Sequence, residues 1–127
     1  SKLVRRKIDL VRTGQGNAGK TIKALDDDDA LIVAGTDSPI VPYGLSLVVE
    51  LQIYVDAGLS PLSALRTATS NAAEALGAGA RVGKLQPGLL ADLVIIDGDP
   101  LTDITDLFNV QGVMLNGRYR TLDELLE

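Results

Sequence analysis

Leu31-Ile32-Val33-Ala34 is a short apolar run that passes into Gly35-Thr36-Asp37 and is broken by Pro39. An apolar run of this length, bounded by chain breakers, predicts a buried strand. Helical spacing on both sides points to an α/β arrangement with this strand between two helices. Asp37 then stands at the C-terminal edge of the strand, where α/β folds place their chemistry.

The flanking segments are read from their apolar spacing. Residues 1–13 set Leu3, Val4, Ile8 and Val11 on one helical face and Arg5, Arg6, Asp9 and Arg12 on the other, with Gly14 and Gly16 as the stop. Asn17 starts a short helix expected to end near Leu25, because the carboxylates Asp26 to Asp29 oppose the dipole at a helix C-terminus. That acidic run lacks the spaced oxygens and the glycine of a calcium loop, and reads as a solvated connection. Ser38 to Gly44 contains Pro39 and Pro42 and reads as a loop. Over 46–57 the stripe Leu47, Val48, Leu51, Tyr54, Val55 predicts a helix closed by Gly58, with Glu50 and Asp56 outside the stripe. Ser60-Pro61 is an N-cap followed by a first-turn proline. The helix it opens is expected to reach Leu76, with Ala64, Leu65, Ala68, Ala72 and Leu76 buried. Thr69-Ser70-Asn71 are mediocre helix formers inside it, either exposed or bonded to a neighbouring loop.

From Gly77 the texture changes, with glycines at 77, 79, 83, 88, 98, 112 and 117. Val82 to Leu85 reads as a short strand and Gln86-Pro87-Gly88 as a turn. Asp92 to Asp97 is a strand with a carboxylate at each end, followed by the turn Asp97 to Pro100. One helical turn fits 103–108. Val110 to Leu115 is a further strand, and Asn116-Gly117 is a strong hairpin signal that returns the chain along Arg118 to Arg120. Thr121 can cap a last helix over 122–126. A boundary near 77–81 follows, with residues 1–77 as an α/β part and 78–127 as small β structure.

Composition limits the chemistry. The 127 residues include no cysteine and no histidine, so disulfides, thiolate metal sites, a Ser-His-Asp triad and a histidine-rich zinc site cannot be built from them. Only three tyrosines and one phenylalanine are aromatic, so the core must be aliphatic and alanine-rich. Net charge is -5, but residues 1–24 are basic and the rest acidic. The basic arm has no aromatic residues for base stacking, so it reads as a solvated helix face rather than a nucleic-acid surface. There is no apolar run of about eighteen residues and no secretory pattern. No membrane partner is expected, and a cytoplasmic location is the default. Gly14 to Thr21 satisfies GxxxxGK[ST], in which Lys20 would meet terminal phosphate oxygens and Thr21 a magnesium ion. The loop needs a buried strand before it, and the segment before it has helical spacing and four basic residues within 5–12. The competing reading puts Lys20 and Lys23 on the solvent face of a short helix.

Five segments together resemble one family. They are GKTIKAL, LIVAGTDSPIVPYGLSL, the stretch from Glu50 through YVDAGLSPLSALRTATSNAAEALG, VGKLQPGLLADLVIIDGDPLTDI, and VMLNGRYRTLDELL. In this order they resemble the C-terminal part of the metal-dependent amidohydrolases, in the branch of imidazolonepropionase-like and prolidase-like enzymes. The resemblance implies an α/β fold: the last strand and flanking helices of a (β/α)8 barrel, followed by small β-sandwich strands. Residues 17–25 and 46–57 would flank the eighth strand at 31–36, 60–76 would lead out of the barrel, and 81–120 would be sandwich strands. It implies hydrolysis of carbon–nitrogen bonds in cyclic amides or dipeptide-like substrates, with a divalent metal, zinc, as cofactor. It assigns Asp37 as both metal partner and catalytic proton acceptor. Val48 stands where relatives commonly carry a histidine, in Ser46-Leu47-Val48-Val49-Glu50-Leu51. The other metal donors of the family are not in this sequence, so the chain alone is expected to be inactive. Two other readings are a non-catalytic piece acting through self-association as a homo-oligomer, and nucleotide binding at Gly14 to Thr21.

Overall fold

In the computed structural model of the chain, residues 17–37 and 44–126 are described. The helix expected over 1–13 and most of the loop after Asp37 lie outside them. Helix α1 spans residues 17–27. It runs two residues past Leu25, where Lys23 pairs with Asp27 one turn on. Thr21 Oγ1 donates to Asn17 O at 3.1 Å within the same helix. Gly19 is buried, and a Cβ there would stand 3.1 Å from Ala57 Cβ, so the glycine lets α1 approach the end of the next helix closely.

Residues 31–37 follow in a single pass whose side chains alternate between exposed and half-buried, as in a strand. Among the described residues no strand lies beside it, so the expected strand over 31–36 carries no ladder. Its polar backbone groups go to helices instead. Ala34 N–H donates to Thr67 O at 3.1 Å, and Ile32 O accepts from Asn71 Nδ2 at 3.0 Å.

Helix α2, Ser46–Asp56, buries Leu51 and Tyr54 and leaves Leu47, Val49 and Ile53 exposed. The expected stripe holds for Val48, Leu51, Tyr54 and Val55, which are buried or half-buried; Leu47 is the exception and is exposed. Gly58, at φ 106°, closes it. The helix expected from 60 to 76 is two helices, α3 Pro61–Ala68 and α4 Ser70–Ala75. Ser60 caps α3 by accepting from Ser63 N–H at 3.0 Å. The break falls at Thr69, at φ -126° and ψ -95°, beside the Thr67 carbonyl that is bonded to Ala34. The turn at the break changes the inward face: Ala73 is buried and Leu76, expected inside, is 83% exposed.

The buried core is Leu51, Tyr54, Leu59, Ala64 and Ile104, with Ile22, Ala34, Val55, Leu65, Ala68 and Leu107 packed against it. Ile104 and Leu107 come from a 3₁₀ helix at Ile104–Phe108, so the segment after residue 77 shares this core. Asp103 caps that helix, its Oδ1 accepting from Thr105 N–H at 2.9 Å and from Thr105 Oγ1 at 2.6 Å.

The sheet has order β1-β2-β3 and is antiparallel throughout, with β1 Leu93–Ile96, β2 Val110–Leu115 and β3 Arg118–Thr121. Asn116 and Gly117, at φ 50° and 76°, make the two-residue hairpin with Leu115 opposite Arg118. Asp92 Oδ1 accepts from Asn116 N–H at 2.6 Å and braces the turn. Helix α5, Leu122–Leu126, begins with a capping box: Glu124 N–H donates to Thr121 Oγ1 at 3.3 Å, and Thr121 N–H donates to Glu124 Oε2 at 2.8 Å. The strand expected over 82–85 is not formed. Gly83, at φ 92°, lies flat on the first turn of α4, where a Cβ would be 2.6 Å from Ala73 Cβ.

Candidate functional site

The extended segment ends on Asp37, which is exposed and has φ 51°. Left-handed backbone is uncommon outside glycine, although aspartate tolerates it better than most residues. Such conformations gather at functional sites, where the surroundings hold them. Two residues before Asp37, Gly35 N–H donates to Glu50 Oε1 at 2.9 Å. Tyr54 O–H donates to the same oxygen from one turn further along α2. Burial, then the hydrogen bond to Glu50 and its negative charge, push the Tyr54 phenol well above the usual tyrosine range, so it stays protonated and donates. Glu50 Oε2 is buried and has no hydrogen-bond partner among the described residues.

Glu50 was expected outside the apolar stripe of its helix, and the structure corrects this: it is half-buried and turned to the strand-like segment. The signal was present in its spacing from Tyr54, since residues four apart share a helical face and Tyr54 is an inward residue. Of the three residues 69–71, Asn71 bonds to the neighbouring segment, its side chain reaching Ile32 O, whereas Thr69 is exposed and its hydroxyl donates to Leu65 O.

At the other end of the segment, an open cleft of about 400 Å³ is lined by Asp26, Asp29, Leu31, Ile32, Arg66, Asn71 and Glu74, among others. Asp37 is not part of it.

The GxxxxGK[ST] match does not form a phosphate loop where it is described. Asn17 to Thr21 are helical, Gly19 is packed on Ala57, and the Thr21 hydroxyl is bonded inside the helix. Residues 14–16 lie outside the described residues.

Among the described residues no group of three or more histidine, cysteine, aspartate or glutamate side chains is gathered to hold a metal ion. A catalytic zinc ion takes about three protein ligands. Asp37 can supply one carboxylate, so these residues do not make a metal centre by themselves.

The profile of the amidohydrolase family matches residues 7–120. The chain belongs to the amidohydrolase family. This amidohydrolase chain is 33% identical over 90 residues to an imidazolonepropionase of Thermoplasma volcanium, covering 70% of the chain and 22% of that protein. It is 38% identical over 66 residues to adenine deaminase 4 of Rhizobium meliloti, covering 52% of the chain and 10% of that protein. Among solved structures it superposes on a Xaa-Pro dipeptidase with bound methionine in its active site, at a TM-score of 0.75 and 28% identity, over 81% of this chain and 25% of the other. An amidohydrolase from Thermotoga maritima gives 0.67 at 31% identity, over 80% of this chain and 25% of the other. The chain thus spans a quarter or less of the length of these relatives. Among the described residues no helix is long and apolar enough to cross a membrane.

Proposed function

We propose that this chain is the end of the barrel and the following sandwich strands of a metal-dependent hydrolase acting on carbon–nitrogen bonds of cyclic amides or dipeptide-like substrates. The supporting observation is Asp37, in a left-handed conformation at the end of an extended pass whose backbone is bonded to the surrounding helices. In this reading residues up to 77 belong to the barrel and 78–127 to the sandwich. A divalent ion, zinc, is the cofactor, with its other ligands outside the described residues. Bound there, such an ion would supply a water of lowered pKa and polarise the carbonyl. Asp37 accepts the proton of the attacking water and returns it to the leaving nitrogen, which balances the hydrolysis.

The test is a panel of imidazolones and Xaa-Pro dipeptides offered to the protein in which this chain occurs, with and without Asp37→Asn. The substitution keeps the shape and removes the proton acceptor, so turnover falls by about a hundredfold or more. An unchanged rate excludes Asp37 as the acceptor. The 127-residue chain alone is expected to show neither stoichiometric zinc nor turnover; finding both overturns the division of ligands.

A further inference from the structure

We infer that Glu50 is the positioning residue for Asp37, acting through the Gly35 peptide and itself set by Tyr54. The inference rests on the proposed role of Asp37. Three observations carry it. Glu50 Oε1 is the acceptor for Gly35 N–H, two residues from Asp37, across a sequence separation of fifteen. The same oxygen takes the Tyr54 hydroxyl, so a buried core residue fixes the carboxylate rotamer. The second oxygen is buried without a partner among the described residues. A carboxylate placed this way is a poor source of stability, because withdrawing it from water is costly. What it supplies is geometry: a charge-assisted bond fixes the peptide just before the left-handed residue. With Ile32 O held by Asn71 and Ala34 N–H held by Thr67, Gly35 is the last of these anchored points before Asp37. Loss of the Gly35 anchor loosens the backbone that leads to Asp37, and a misplacement of about 1 Å is enough to disable a catalytic group.

Backbone amide NMR on the 127-residue chain tests this. In the unmodified chain the Gly35 amide is protected from solvent exchange, although Gly35 itself is exposed. Glu50→Ala speeds Gly35 exchange by about tenfold or more beyond any change around Ala64, and lowers the order parameters at Thr36 and Asp37. Glu50→Gln, which retains the acceptor oxygen, restores Gly35 to within about twofold, a rescue that loss of packing alone would not show. If Glu50→Ala does not fold, Tyr54→Phe decides: it keeps the core shape, frees the carboxylate rotamer, and speeds Gly35 exchange by more than its loss of global stability speeds exchange around Ala64. An unprotected Gly35 amide in the unmodified chain overturns the inference. So does protection that is unchanged in Glu50→Ala, or in Tyr54→Phe where that variant is the deciding one. Asp37→Asn separates the two proposals, since it leaves Gly35 protected whether or not it abolishes hydrolysis.

Discussion

Tyr54 sits where core packing and the candidate site meet. Its ring is buried among Leu51, Leu59, Ala64 and Ile104, and its hydroxyl is spent on Glu50. Its folded pKa lies above the ordinary 10.0, mainly because burial disfavours the phenolate and secondarily because of Glu50. The sign follows from linkage. Below the unfolded value both states hold the proton and the stabilisation is fully present. As pH rises past it, the unfolded chain releases the proton first, and stability falls. Thermal unfolding between about pH 8 and about pH 11.5 should therefore show a steeper alkaline decline in the parent than in Tyr54→Phe. Parallel profiles would mean that the phenol is wet. At neutral pH the same variant loses one hydrogen bond to a charged acceptor and should cost about 1 to 2 kcal/mol by urea titration. Asp103 behaves oppositely. The hydroxyl and then the amide of Thr105 hold its carboxyl below the usual range, so its capping contribution is lost only as pH falls through that lowered value.

At the scale of elements, the joints explain both what the sequence showed and what it concealed. The hairpin at Asn116-Gly117, the capping box at Thr121 and Glu124, and the Ser60-Pro61 helix start were legible because each is local chemistry within about four residues. The break at Thr69 was not, because it depends on Ala34, distant in sequence, taking the Thr67 carbonyl. Gly83 was misread as a strand residue for the same reason: its role is set by α4, not by its neighbours. Gly83→Ala combines a strained φ of 92° with a Cβ 2.6 Å from Ala73 Cβ and 3.0 Å from Thr69 O, and should destabilise by about 2 kcal/mol or more. Adding Ala73→Gly removes the nearer clash, so the double variant should recover part of the loss in a mutant cycle, whereas strict additivity would place the strain in the backbone alone. Asp37 was legible as a strand-end carboxylate. Glu50 was half legible: its spacing from Tyr54 puts it beside the inward face, but its role as acceptor depends on the strand-like segment it meets.

For the whole molecule, burial is lopsided. Among the described residues the buried hydrophobic side chains are Leu51, Tyr54, Leu59, Ala64, Ala73 and Ile104, and many more large apolar side chains are exposed. They are not scattered. Leu45, Val49 and Ile53 recur every four residues along the outer side of α2, at 57%, 47% and 37% exposure. Val94 and Ile95 are adjacent in β1, so they point to opposite faces of the sheet, and both are exposed. β1 is also an edge strand with one side of its backbone unpaired in this sheet. A helix with exposed apolar residues outside its buried side and an edge strand apolar on both faces are what a larger fold leaves when only part of it is present, in keeping with relatives of which this chain spans a quarter or less. Exposed contiguous apolar surface in water drives association. The 127-residue chain by itself should therefore sediment as a concentration-dependent mixture of monomer and higher species. Val49→Lys with Ile53→Lys should shift it towards monomer without lowering its unfolding midpoint, because neither side chain belongs to the core. A monomer at every concentration before the substitutions would show that these faces cover one another in solution.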